Sequence, residues 1–262
     1  MSAATTDLFD VRGKVALVTG GSRGIGLMMA DALVRAGAEV IISSRKADDC
    51  ARAVEGLAQH GRATAIPADV STPEGARELA AAVGERTERL HLLFNNAGAT
   101  WGAPIEEFPP AGFDKVLDLN VKGVFHLTVA LLDRLRAAAT PQDPARVVNV
   151  GSVDGLRVPA MESYSYSASK AAVHMLTRHL AKRLAGEAIT VNAIAPGPFE
   201  SKMTAFMLQD EASRDAVAST VPLGRIGTPD DIAGVTLLLS SRAGAYLTGV
   251  VLPVDGGITG CG

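Results

Sequence analysis

Residues 14–26 constrain the fold of this chain more than any other stretch. Lys14-Val15-Ala16-Leu17-Val18-Thr19 is a short apolar run, the pattern of a strand buried on both faces. It leads straight into Gly20-Gly21-Ser22-Arg23-Gly24-Ile25-Gly26. Apolar residues then recur at helical spacing through Ile25, Met28, Met29, Ala32 and Leu33 until Gly37 stops the helix, and a second strand is expected over residues 39–43. Glycines in such a loop permit a tight turn and let the backbone approach a pyrophosphate at the helix N-terminus. The unit predicts an α/β protein and a nucleotide site at its first turn.

The rest of the chain continues the alternation. Strands are expected over residues 63–67, 90–94, 147–152, 189–194 and 250–254, and helices over 73–88, 111–138 and 230–239, with a further helix that bears Tyr166 and Lys170 and runs to about 185. With no internal repeat, linker or second domain, residues 1–262 read as one domain, with a flexible polar tail over about 1–12 and a substrate lid over about 198–222. The apolar content of 47%, charged content of 20% and net charge of −3 fit a globular protein and argue against a nucleic-acid surface. No apolar run is long enough to span a membrane, and the first residues lack the layout of a signal peptide. Cys50 and Cys261 form no zinc or redox motif, and the five histidines show no ligand spacing, so no metal is expected and a reducing cytoplasm is.

Two further features carry chemistry. Tyr166 and Lys170 stand at i and i+4, on one face of the expected helix, with Ser152 fourteen residues upstream at the C-terminal end of the fifth strand, where open α/β sheets bind ligands. An ammonium beside a phenol favours phenolate, so the pKa of Tyr166 is expected to fall from its ordinary value of ~10, tuning it to exchange a proton with an oxygen on a reacting carbon. Asn120 falls in mid-helix among apolar residues, an unfavourable place that calls for a reason. Ser44 and Arg45 end the second strand where a dinucleotide fold that binds NAD carries an acid. With Arg23 in the glycine loop, this arrangement suits the 2′-phosphate of NADP(H).

Taken together, these motifs resemble the short-chain dehydrogenase/reductase family over nearly the whole chain. Thr19-Gly20-Gly21-Ser22-Arg23-Gly24-Ile25-Gly26 is similar to its TGxxxGxG loop, and Asn95-Asn96-Ala97-Gly98 to its NNAG motif. Asn120, Ser152, Tyr166 and Lys170 match its catalytic tetrad, with Ser152 to Tyr166 one residue longer than the commonest spacing. The resemblance implies a Rossmann-like, doubly wound, seven-stranded parallel sheet in the order 3-2-1-4-5-6-7 with helices on both faces. It further implies cofactor contacts from Gly20, Ser22, Arg23, Gly24, Ile25, Gly26, Ser44, Arg45, Asp69, Val70, Asn96, Ala97, Gly98, Tyr166, Lys170, Pro196, Gly197, Phe199 and Ser201.

Within the family the chain is similar to the β-ketoacyl reductases, those of rhamnolipid producers included. The activity implied is NADPH-dependent, reversible reduction of a ketone or 3-oxoacyl carbonyl, with Tyr166 as general acid, Ser152 holding the carbonyl oxygen and Asn120 holding a water that resupplies protons through Lys170. A non-catalytic NADP sensor, or oxidation of a sugar, steroid or cyclic alcohol, are the alternatives. Trp101 and the apolar residues of 199–208 point to a greasy small-molecule substrate. The long apolar stripe on the Tyr166 helix and the apolar last strand imply a homotetramer of D2 symmetry. Glu187, at a position where acyl-carrier-dependent reductases carry a basic docking residue, argues against that docking mode.

Overall fold

The computed structural model describes residues 8–201 and 209–261. Strands β1 (Val15–Thr19), β2 (Glu39–Ser43), β3 (Ala63–Ala65), β4 (Leu92–Asn95), β5 (Ala145–Val150), β6 (Ile189–Pro196) and β7 (Val251–Val254) form one sheet in the order β3-β2-β1-β4-β5-β6-β7. All six pairings are parallel. This is the expected doubly wound architecture. The order reverses beside β1, so the C-terminal ends of β1 and β4 open a crevice between them.

Each central strand is covered on both faces, which is why it reads as an unbroken apolar run. Val18 of β1, Ile42 of β2 and Phe94 of β4 face helices α1 (Gly24–Arg35) and α9 (Pro229–Ser240), packing with Met29, Leu33, Ile232 and Leu239. The alternate residues Leu17, Ile41, Leu93 and Val147 face α3 (Pro73–Gly84), α5 (Val124–Ala130), α6 (Leu132–Ala138) and α7 (Tyr164–Leu184) through Leu79, Leu127, Leu135 and Leu184. Thr72 caps α3, accepting from Gly75 N–H at 3.1 Å, with Pro73 at the first helical position.

Several expectations need correction. A helix absent from the sequence reading, α2 (Ala47–Ala58), fills the connection between β2 and β3. The single helix expected over 111–138 is broken into α4 (Pro110–Leu117), a π turn over Asp118–Gly123, α5 and α6. A Cβ at Gly123 would lie 2.3 Å from the Val70 carbonyl oxygen, so this turn runs close against the chain that leaves β3. The tail over 1–12 is not loose in its described part: Val11 is fully buried, and its carbonyl accepts from Lys14 N–H at 3.1 Å. The face of α7 turned to the sheet carries Val173, His174, Thr177, Ala181 and Leu184, whereas Met175 of the expected stripe is 60% exposed. The lid region contains α8 (Glu211–Ser219) and begins with a buried Phe199; its expected apolar residues Met203, Phe206, Met207 and Leu208 lie outside the described residues.

Candidate active site

The crevice at the end of β1 is built for a dinucleotide. Gly20 and Gly24 have φ of +64° and +53°, a conformation that favours glycine. A Cβ on Gly26 would fall 2.4 Å from the Gly20 carbonyl oxygen, so a side chain there would force the loop open. Arg23 opens α1 without capping it, leaving the first amides of the helix to an anion. Thr19 and Asn96 tie the two sides together: Asn96 N–H and Ala97 N–H donate to Thr19 Oγ1 at 3.0 Å each, and Asn96 Nδ2 donates to the Thr19 carbonyl at 2.9 Å. Ser201 reaches the loop from the far side, and a Cβ on Gly24 would lie 3.2 Å from its Cβ. These features fit a pyrophosphate and its flanking riboses.

At the adenosine end, Ser22 Oγ donates to Ser44 Oγ at 3.1 Å, which in turn contacts the buried Cys50 thiol at 3.2 Å. A cavity of about 380 Å³ opens beside them, lined by Ser22, Arg23, Lys46, Asp49 and Arg52 among others. Arg45 is exposed and does not line it. Of the arginines expected at the 2′-phosphate, Arg23 lines this cavity, which Lys46 and Arg52 line as well, Arg52 paired with Asp49. Arg52 escaped the sequence reading because the helix carrying it did. Asp69 is exposed beyond β3, its carboxylate accepting from Ser71 N–H at 3.0 Å, and Val70 is buried behind it.

The catalytic candidates converge at the ends of β4 and β5. Ser152 follows β5; its Oγ accepts from Asp154 N–H at 3.1 Å and faces the Tyr166 hydroxyl. Lys170 is buried, donates from Nζ to the Val150 carbonyl at 2.7 Å and lies 5.5 Å from the centre of the Tyr166 ring. Asn120 is also buried. Its Oδ1 accepts from Ala99 N–H at 2.8 Å, and its Nδ2 donates to the Ala99 carbonyl and to Ser169 Oγ, both at 2.9 Å. A Cβ on Gly98 would sit 3.4 Å from Asn120 Oδ1 and 3.7 Å from Lys170 Nζ, in ordinary contact with both, so the strand exit runs beside these two side chains. The polar residue in mid-helix has its explanation: it clamps the π turn to the strand exit and to α7. Both amide hydrogens of Asn120 are used in doing so.

The electrostatics also differ from expectation. The pKa of Tyr166 is pushed up to about 12, because burial penalises the phenolate more than the nearby Ser152 hydroxyl stabilises it. Burial pulls Lys170 down to about 8, opposed by the Asp154 carboxylate. The expected fall of the tyrosine pKa is therefore not what the folded chain shows. At the far end of the crevice β6 terminates in Pro196, and Gly197 N–H donates to the Val254 carbonyl at 3.0 Å. Phe199, expected at the cofactor, is 2% exposed and its ring lies over Gly227, where a Cβ would lie 2.3 Å from it.

This architecture and cluster define a class, and comparison with known proteins bears it out. The family model described as enoyl-(acyl carrier protein) reductase matches residues 20–259. The chain belongs to the short-chain dehydrogenase/reductase family and is an oxidoreductase. Among its relatives is the rhamnolipids biosynthesis 3-oxoacyl-[acyl-carrier-protein] reductase of Pseudomonas aeruginosa, 49% identical over 95% of this chain and 97% of that protein. The structure of the Pseudomonas aeruginosa RhlG/NADP active-site complex superposes with a TM-score of 0.94 at 48% identity, covering 97% of this chain and 99% of that one. Gluconate 5-dehydrogenase of Gluconobacter oxydans is 36% identical over 97% of each chain.

Proposed function

We propose that this protein reduces the ketone of a 3-oxoacyl-type compound to a secondary alcohol, reversibly, with NADPH as the reductant. The observation that carries the reading is the convergence of Ser152, Tyr166 and Lys170 beside a nucleotide cradle, with Asn120 bracing their surroundings. The cofactor is NADP(H); when bound, it supplies the hydride. Arg23, Lys46 and Arg52 would hold its 2′-phosphate, and the uncapped start of α1 its pyrophosphate. Ser152 orients the carbonyl oxygen and stabilises the charge that develops there. With a pKa near 12, Tyr166 keeps its proton at neutral pH, the state from which it can donate to that oxygen. Lys170, poised near 8, is the nearest group able to restore that proton.

The assembly we propose is a homotetramer. Met175 is exposed on α7, and Phe113 of α4 and Phe125 and Val129 of α5 are between 39% and 46% exposed, surface that closed symmetry would cover. No helix among the described residues is long and apolar enough to cross a membrane, and both cysteines are unpaired, which supports a cytoplasmic setting. The test of the chemistry is Tyr166→Phe, followed by NADPH oxidation. Turnover should fall at least ~100-fold with NADPH affinity nearly unchanged, and near-normal turnover would remove Tyr166 from the mechanism.

A further inference from the structure

One ionisable group at the catalytic cluster has no part in the mechanism above. Asp154 lies in the short 3-10 turn Val153–Gly155 that Ser152 initiates, and its backbone N–H holds Ser152 Oγ at 3.1 Å. The turn is pressed onto α7: a Cβ on Gly155 would lie 2.7 Å from the Lys170 backbone carbon and 2.8 Å from His174 Cε1. Asp154 is thereby fixed within two residues of the group that orients the carbonyl. Its side chain is half-buried and accepts no hydrogen bond from the described residues. Burial raises its pKa, and its charge is felt by both Tyr166 and Lys170.

Two further acids flank the neighbouring Tyr164. Glu162 accepts from the Tyr164 hydroxyl at 2.9 Å, and Glu106 also acts on Tyr164. The cation on the same loop, Arg157, is exposed and divided between Asp154 and Asp255. On the segment that follows Asp154, Leu156, Val158 and Met161 are exposed. A substrate that carries its own carboxylate next to the reacting ketone would bring like charge against Asp154 in a poorly solvated cleft, whereas a neutral ester, thioester or simple ketone would not.

We propose that Asp154 is a specificity residue that reserves the catalytic cleft for neutral carbonyl compounds and turns away keto acids. The inference rests on the ketone-reducing function proposed above and narrows its substrate class. Exclusion by a misplaced charge is a means of discrimination separate from any attractive contact.

The experiment compares acetoacetate with its N-acetylcysteamine thioester, which present the same ketone with and without a carboxylate. Both are assayed with NADPH in wild type, Asp154→Asn and Asp154→Ser. Wild type should prefer the thioester in kcat/KM by at least about 100-fold. Either variant should shrink that preference at least about tenfold, through a gain on acetoacetate. A preference unchanged within about twofold in both variants overturns the proposal. If wild type reduces neither compound, the ketone-reducing function fails instead, and calorimetric binding of acetoacetate to the NADPH-loaded proteins decides the role of Asp154. Binding at least about tenfold tighter in Asp154→Asn than in wild type upholds it, and equal binding rejects it.

Discussion

His174 offers a measurement of how this fold responds to acid. Its ring is buried one turn beyond Lys170, wedged against Gly151 and against the Gly155 backbone, which favours the charged ring less than burial opposes it. Burial holds its pKa down at about 4, against 6.5 for an ordinary histidine. The folded chain therefore keeps the ring neutral across a range in which the unfolded chain protonates it. Stability is unaffected by this residue above about pH 7 and falls as the pH drops from about 6.5 toward about 4, since the unfolded state then binds the extra proton. Integrated between about pH 7.5 and about pH 5, the loss is about 2 kcal/mol. His174→Leu preserves most of the buried volume, leaves no polar atom to satisfy and removes this term. Urea unfolding at fixed protein concentration, with wild type and variant compared at both pH values, reads the difference directly. Carboxylates such as Asp231, held well below their usual range by Arg225, weaken in acid too, but equally in both proteins. If His174→Leu loses as much stability as wild type over that interval, to within about 0.5 kcal/mol, the ring is not the neutral buried group described here.

Three more outcomes are expected. Gly26→Ala places a methyl against the Gly20 carbonyl and the Asn96 amide, so NADPH affinity by fluorescence titration should fall at least about tenfold; unchanged affinity would mean that the loop has room to spare. Replacing Lys46 and Arg52 together with alanine should weaken NADPH by at least about tenfold while leaving NADH little changed, whereas Arg45→Asp should have the smaller effect, an order that reverses if Arg45 swings into the cavity. Asp231→Ala removes the acceptor for Thr228 N–H at 2.7 Å and for Arg225 at 2.7 Å, and should lower stability by about 1 kcal/mol without altering kcat; a larger loss of turnover than of stability would assign this cap a role at the site.

The parts of the fold legible in the sequence were those with both faces buried. The strands in the middle of the sheet are short, mainly apolar runs bounded by glycine and polar turns. Helix α2 was hidden because only Cys50, Ala53 and Leu57 of its twelve residues are buried, too sparse a pattern beside Asp48, Asp49 and Arg52. The π turn left no mark because an extra residue per turn changes the phase of a helix and not its composition; only the odd placement of Asn120 hinted at it. Tyr166 and Lys170 were visible as a pair at helical spacing. The direction of the tyrosine pKa was not, because it depends on how much of the fold closes over the ring, and burial there outweighs the hydroxyl beside it.

The buried Phe199 has a consequence for how this enzyme could diversify. Its backbone bridges to Gly227, and Gly227 N–H donates to the Pro198 carbonyl at 2.9 Å, so the two ends of the segment between them are held together. A segment closed at its ends in this way can change length or composition at an entropic penalty that grows only with the logarithm of its size, while the sheet stays as it is. Exchanging residues 202–220 as one block with those of a relative, which keeps Ser201 against Gly24, Leu223 on Gly256 and Arg225 on Asp231, is therefore a route to new substrates that piecemeal substitution within the block would not offer.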